Sequence, residues 1–268
     1  MKNCCACVIA AAVVLGSLSS PSFAHDTWIV ADPPQVRSGG AVVLHVTSGV
    51  AFPRLETAPD PSRIDHAEWR LGDLRGALTS FDKGDSSLTV RGRVNTDGVA
   101  VVYVEFNPKD IDLEPDEVGE YMDEIGAPES VRRAWQEAGP DAKFHETFTK
   151  HAKTYVKIGD SGDAKGCLGP VGFAIDYLPE RDPTSLKVGD TLALKVIRGG
   201  MQMESFAIGT VCASNGKTML QRTSRSGMVA ISIDAPGWWL VRGTELRRNA
   251  DGTWESDFTT MTFYVGNE

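Results

Sequence analysis

Cysteine is nearly absent from the part of the chain that would fold. Of five cysteines, Cys4, Cys5 and Cys7 sit in an N-terminal stretch that reads as a cleaved leader, which leaves Cys167 and Cys212. Two isolated cysteines lack the CxxC spacing of a structural zinc site. In an exported protein they are instead expected to form one disulfide, Cys167 to Cys212, which the chain-entropy estimate sets at about 3–4 kcal/mol. Basic charge is also short: 27 Lys and Arg stand against 36 Asp and Glu, for a net −9. That balance excludes a nucleic-acid binder, which needs clustered cations to neutralise phosphate. No apolar run reaches the roughly 20 residues that span a bilayer, so the product is not expected to be membrane-embedded. Nucleophile elbows, Walker loops, GxGxxG turns and HExxH helices are all missing, and the chain is not expected to be an enzyme. Fixed-period repeats and low-complexity tracts are missing too.

The N-terminus is informative. Lys2 supplies a positive start, Val8 to Leu15 an apolar stretch, and Ser22-Phe23-Ala24 a small-x-small cleavage signal, the pattern of a secretory leader. The cysteines precede the apolar stretch, which argues against lipidation. Cleavage after Ala24 would make His25 the first residue. Its α-amine and imidazole could then chelate one ion, and nitrogen-rich sites suit Cu(II) or Ni(II). Asp26 could support the imidazole or coordinate directly.

Beyond the leader the pattern is mostly β. Val42, Leu44 and Val46 alternate with Val43, His45 and Thr47, as on a half-buried strand. Leu88 to Val90 and Val99 to Phe106 read as further strands, with a turn at Asn95, Asp97 and Gly98. Pro115 to Ile125 and Pro128 to Ala138 then read as two helices, each opening near Pro and closing at Gly126 or Gly139. Residues 143–166 read as a helix or linker that becomes a strand. From Val171 onward about seven strands follow at sandwich spacing. The expected architecture is therefore mostly β, two immunoglobulin-like or prealbumin-like sandwiches with a helical hairpin between them. Its expected divisions are a signal peptide over 1–24, an N-terminal β domain over 25–108, a helical insertion over 109–142, a connecting segment over 143–166 and a C-terminal sandwich over 167–268.

Several phrases, in this order, resemble a known family: His25-Asp26-Thr27-Trp28, His151-Ala152-Lys153 running into Tyr155-Val156-Lys157, Leu186 to Asp190, Pro236-Gly237-Trp238, and Trp254 to Phe263. Together they are similar to the periplasmic domain-of-unknown-function family associated with nickel and cobalt uptake. The resemblance implies a periplasmic accessory protein that binds nickel or cobalt, or copper second, and passes it to a membrane uptake transporter. It also draws attention to His151. The expected ligand set is His25, Asp26, His151, His145 and Asp257, the last placed to approach the N-terminus if first and last strands are neighbours. Met201 and Met203 offer thioethers for Cu(I), though such pairs more often fill cores. Two other readings stay open. One is a non-catalytic β-sandwich recognition module for a protein or glycan, with Trp238 and Trp239 as a sugar platform. The other is a copper-dependent oxidative enzyme, which needs a second histidine beside His25.

Overall fold

The computed structural model describes residues 25–160, 164 and 166–267. The expected leader, 1–24, lies outside them. A ten-stranded sheet forms the middle of the molecule, in the order Thr218–Arg222, Ala207–Cys212, Gly237–Arg248, Trp254–Val265, Phe144–Ile158, Gly98–Phe106, Ile64–Leu71, Leu74–Ala77, with the short strands Gln35–Val36 and Lys109–Leu113 also joined to Phe144–Ile158. One four-stranded sheet, Asp26–Asp32, Ala41–Gly49, Leu88–Arg93 and Asp82–Lys83, covers the end of one face. A second, built on Ile175–Pro179, Thr191–Arg198, Met201–Gln202 and Met228–Ser232, covers the opposite face. The molecule is thus two β-sandwiches with a two-helix insertion, as the strand spacing predicts, but the sandwiches share one sheet.

Sharing explains why some strands are apolar on both sides. In Gly98–Phe106, Val99, Val101 and Tyr103 enter the C-terminal core, while Ala100, Val102, Val104 and Phe106 enter the N-terminal one. Successive side chains point to opposite faces, so a strand clad on both faces reads as a continuous apolar run. The turn at Asn95 to Gly98 accordingly joins two sheets rather than two paired strands: Leu88–Arg93 pairs with Ala41–Gly49, and Gly98–Phe106 with Ile64–Leu71.

Residues read as a connecting segment hold the most central strand instead. Phe144–Ile158 runs parallel to Trp254–Val265, Glu146 opposite Trp254 and Thr154 opposite Thr262, and antiparallel to Gly98–Phe106 at its far end. Lys153 and Tyr155 face the C-terminal core; Ala152, Val156 and Ile158 face the N-terminal one. Local patterning could not show this, because the partners come from both ends of the chain.

The helices are Glu117–Glu124 and Glu129–Gln136. Val118, Tyr121, Met122 and Ile125 form the buried stripe expected of the first. Trp135 of the second sits 5.6 Å from Phe144, which stacks on Trp254 at 5.1 Å. Gly126 ends the first helix at φ +61°, and a Cβ there would lie 2.8 Å from that of Ala207, so glycine is required for both backbone and space.

Candidate functional site

The expected metal ligands do not converge. Among the described residues, no group of three or more His, Cys, Asp or Glu is placed to hold a metal ion. Each expected donor has another occupation. Asp26 is buried and accepts a 2.8 Å hydrogen bond from Arg242. Burial pushes its pKa up while Arg242 pulls against that shift. His145 hydrogen-bonds Asp112 at 2.8 Å on the surface, which raises its pKa. His151, 2 % exposed, has Nδ1 3.2 Å from the Phe258 carbonyl and Nε2 3.4 Å from Glu105. Its hydrogen bond lowers the Glu105 pKa. Asp257 accepts from Arg247 at 2.8 Å and lies 3.7 Å from Arg198.

Strand geometry separates the histidines. His145 and His151 lie on one strand, and six residues at about 3.3 Å each put them about 20 Å apart. Asp257 shares the face of Thr259, which meets the C-terminal sheet, whereas Thr260 and Thr262 face the N-terminal strand, and arginines claim it. The expected disulfide is not formed either: the Cys167 thiol donates to the Ala164 carbonyl, and Cys212 Sγ lies 3.4 Å from Ser214 Oγ. Met201 is exposed and Met203 half-buried.

The surroundings of His25 complete the correction. Lys150 donates from Nζ to the His25 carbonyl. Burial, then the Lys150 charge, lowers the His25 pKa. A pocket of about 220 Å3 opens here, lined by His25, Lys109, Ile111, Glu146, Phe148, Lys150 and Phe258 among others. Two ammonium groups at its wall repel a cation. The metal-delivery reading, with a nickel, cobalt or copper ion and an uptake transporter as partners, is therefore corrected: the expected donors are spent elsewhere, and no group of three or more donors gathers among the described residues.

A different concavity, missed in the sequence, lies at the open side of the N-terminal sandwich. It is a cleft of about 410 Å3 lined by Val42, Leu44, Trp69, Leu71, Leu78 and Ala100, with further apolar residues from both sheets. Consecutive residues 90–96 form one wall. Beyond Leu88 and Thr89, which pair with Lys83 and Asp82, no described strand pairs with the outer edge of Leu88–Arg93. The opposite wall ends in Leu74–Ala77, the last strand of the central sheet, paired only with Ile64–Leu71 among the described residues. Gly76 lets this edge lie over the Trp69 indole, since a Cβ would stand 2.9 Å from its Nε1. Arg91 and Arg93 stand at the rim. Arg91 pairs with exposed Asp82, and Arg93 reaches the Gly39 carbonyl at 3.3 Å. The alternation of Val42 and Leu44 was legible as core; that the facing side chains leave a gap was not.

These features define a β-sandwich protein with a cleft between sheet edges. Residues 22–244 match the domain-of-unknown-function family DUF4198, and the chain belongs to that family. The match carries no link to nickel or cobalt uptake. No curated protein sequence matches the chain. Among solved structures it is similar to the D0-D1 domain of intimin, at 12 % identity over 88 % of this chain and 97 % of that one, TM-score 0.21. It is also similar to the adhesin InvE of Yersinia pseudotuberculosis, at 13 % identity over 89 % and 59 %, TM-score 0.24. A bacterial ice-binding adhesin gives 11 % identity over 91 % and 65 %, TM-score 0.24. Likeness at this level transfers no function. No helix among the described residues is long and apolar enough to cross a membrane.

Proposed function

We propose that the protein is a non-catalytic recognition module of the periplasm that binds a protein partner, taking an extended segment of it into the N-terminal cleft. The observation that carries this reading is the pairing of an apolar cleft with two sheet edges, Leu74–Ala77 and Leu88–Arg93 beyond Thr89, that no described strand covers. An extended peptide can satisfy edge N–H and C=O groups while alternate side chains fill the cleft, the mode of strand addition. Exposed edges are ordinarily blunted by charge, bulges or short length. Arg91 and Arg93 serve that purpose toward a second copy of this edge, since like charges repel, and favour a segment with acidic flanks.

A glycan reading is less well supported. Sugar platforms need an exposed aromatic face, whereas Trp239 is buried and donates to the Ala235 carbonyl at 3.1 Å. Trp238 packs edge-on to Tyr264 at 5.6 Å. Export rests on the leader-like residues 1–24, and the absence of an enzymatic role rests on the lack of catalytic motifs in the sequence.

Selection from a display library of unstructured peptides tests the proposal. Enriched sequences should alternate apolar residues and carry Asp or Glu at the flanks. Ala100→Leu, which fills the cleft, and Arg93→Glu, which inverts the rim, should each weaken binding about tenfold or more, equivalent to about 1.4 kcal/mol. Enrichment no better than scrambled controls, or affinity untouched by Ala100→Leu, overturns it. A glycan array supplies the competing outcome.

A further inference from the structure

Three sheltered cations of this protein are held by carboxylates. Lys153 donates to Asp176 at 2.6 Å, Arg242 to Asp26 at 2.8 Å, and Arg247 to Asp257 at 2.8 Å. Lys150 is half-buried, yet among the described residues no carboxylate lies within ion-pair distance of it. Its contacts are the His25 carbonyl and the rings of Phe148 and Phe258, whose centroids lie 5.5 and 5.7 Å from Nζ. Removing a charge from water is costly unless a counter-charge compensates.

The nearest acids do not fill that role. Asp26 is committed to Arg242. Glu146 is buried, and its Oε1 accepts from Tyr121 at 2.8 Å and from Ser256. Burial pushes the Glu146 carboxyl upward, toward its neutral form. Other cations crowd the site: Lys109 lines the same pocket, and the Arg63 guanidinium lies 5.4 Å from the centroid of the Phe148 ring. In a chain with a net charge of −9, this is a local positive field with apolar walls.

We infer that the pocket beside His25 binds a small organic monocarboxylate, its carboxylate on Lys150 and its apolar body against Phe148, Phe258, Ile111 and Leu113. The volume of about 220 Å3 corresponds to roughly seven waters at about 30 Å3 each, which suits a body the size of a benzene ring. A bound carboxylate supplies the missing counter-charge, and the apolar wall excludes water from the pair. Burial pushes the free Lys150 amine down to about 8, with Arg63 and Lys109 adding to that shift and Asp26 and Glu146 opposing it. A bound anion raises it again. This site is separate from the peptide cleft and does not depend on it.

The test is titration of the purified protein with phenylacetate, acetate and inorganic phosphate, followed by calorimetry and by NMR of the lysine side chains. Phenylacetate should bind with a dissociation constant of about 1 mM or tighter and raise the Lys150 pKa. Acetate, lacking the apolar body, should bind about tenfold more weakly or worse. Lys150→Met should abolish phenylacetate binding while circular dichroism shows the fold retained. Phe148→Ala should weaken phenylacetate and leave acetate unchanged. No binding of phenylacetate, an unchanged affinity in Lys150→Met, or phosphate binding as tightly as phenylacetate overturns the inference. The last result would mean a bare charge site with no use for the aromatic walls.

Discussion

The two sandwiches use opposite faces of one sheet, yet one is closed and the other open, and side-chain volume accounts for the difference. The C-terminal core receives Tyr103, Tyr155, Phe173, Tyr177, Trp239 and Phe263, large groups that fill the space between layers about 10 Å apart. The N-terminal core is made largely of Ala31, Ala67, Ala100, Ala152 and valines, and toward its edge strands the layers part into the cleft. The closed side is also pinned across its sheets. Lys153, 0 % exposed, donates to both Asp176 and the Tyr177 carbonyl at 2.6 Å, and the other Asp176 oxygen accepts the amides of Val171 and Gly172. One region is packed through between its layers, the other leaves an open cleft.

The largest effect is expected at that pin. Asp176→Ala leaves a buried ammonium without its counter-charge and should cost about 3–5 kcal/mol in chemical denaturation. The double variant Lys153→Met, Asp176→Leu should recover most of this loss, because two apolar groups replace two charges. If Asp176→Ala costs under about 1 kcal/mol, the pin is not what distinguishes the closed side.

Adjacent residues on Gly98–Phe106 sharpen the contrast without changing charge. Val101→Leu overfills the closed core and should cost about 1–3 kcal/mol, whereas Val102→Leu points into the cleft and should cost less than about 0.5 kcal/mol. Equal costs for both, measured by urea denaturation, would mean that the open side is as tightly packed as the closed one.

Lys150 offers a third test, through pH. In the folded protein its amine loses its proton near about 8, while in the unfolded chain it holds it to 10.5. Between those values the unfolded state binds more protons, so the Lys150 contribution to stability rises with pH across that window. Below it both states are protonated and the cost of sheltering the ammonium is fully present. The difference in stability between wild type and Lys150→Met should therefore change from about pH 8 upward in favour of wild type, and stay flat below. A pH-independent difference in thermal melts would remove the charge from the account.

The smallest effect is expected at the lip of the cleft. Leu74 is 50 % exposed, so Leu74→Ala should change stability by no more than about 0.5 kcal/mol while weakening a selected peptide. A larger loss in thermal melts would show Leu74 to be part of the core.

Much of the fold was legible because short-range rules govern it. Pro and Gly framed both helices, and Val118, Tyr121, Met122 and Ile125 marked the buried stripe. Alternation at Val42, Leu44 and Val46 marked a core face. The central role of Phe144–Ile158 was hidden, since its partners Lys109–Leu113 and Trp254–Val265 lie on either side of it in sequence. The ligand set failed for a similar reason. His25, His145 and His151 bear metal-binding chemistry, but strand spacing keeps the last two apart, and Lys150 stands where a second donor was needed.

By itself the sequence determined the β character, the helical insertion, the acidic balance and the leader-like start, all set by local periodicity, turn chemistry and composition. Only the tertiary structure decided that the sandwiches share a sheet, that Lys153 has a carboxylate partner and Lys150, among the described residues, has none within ion-pair distance, and that the N-terminal layers leave a cleft. Those outcomes depend on which distant strands pair and on how the volumes of facing side chains compare across about 10 Å, and neither quantity is carried by any single stretch of chain.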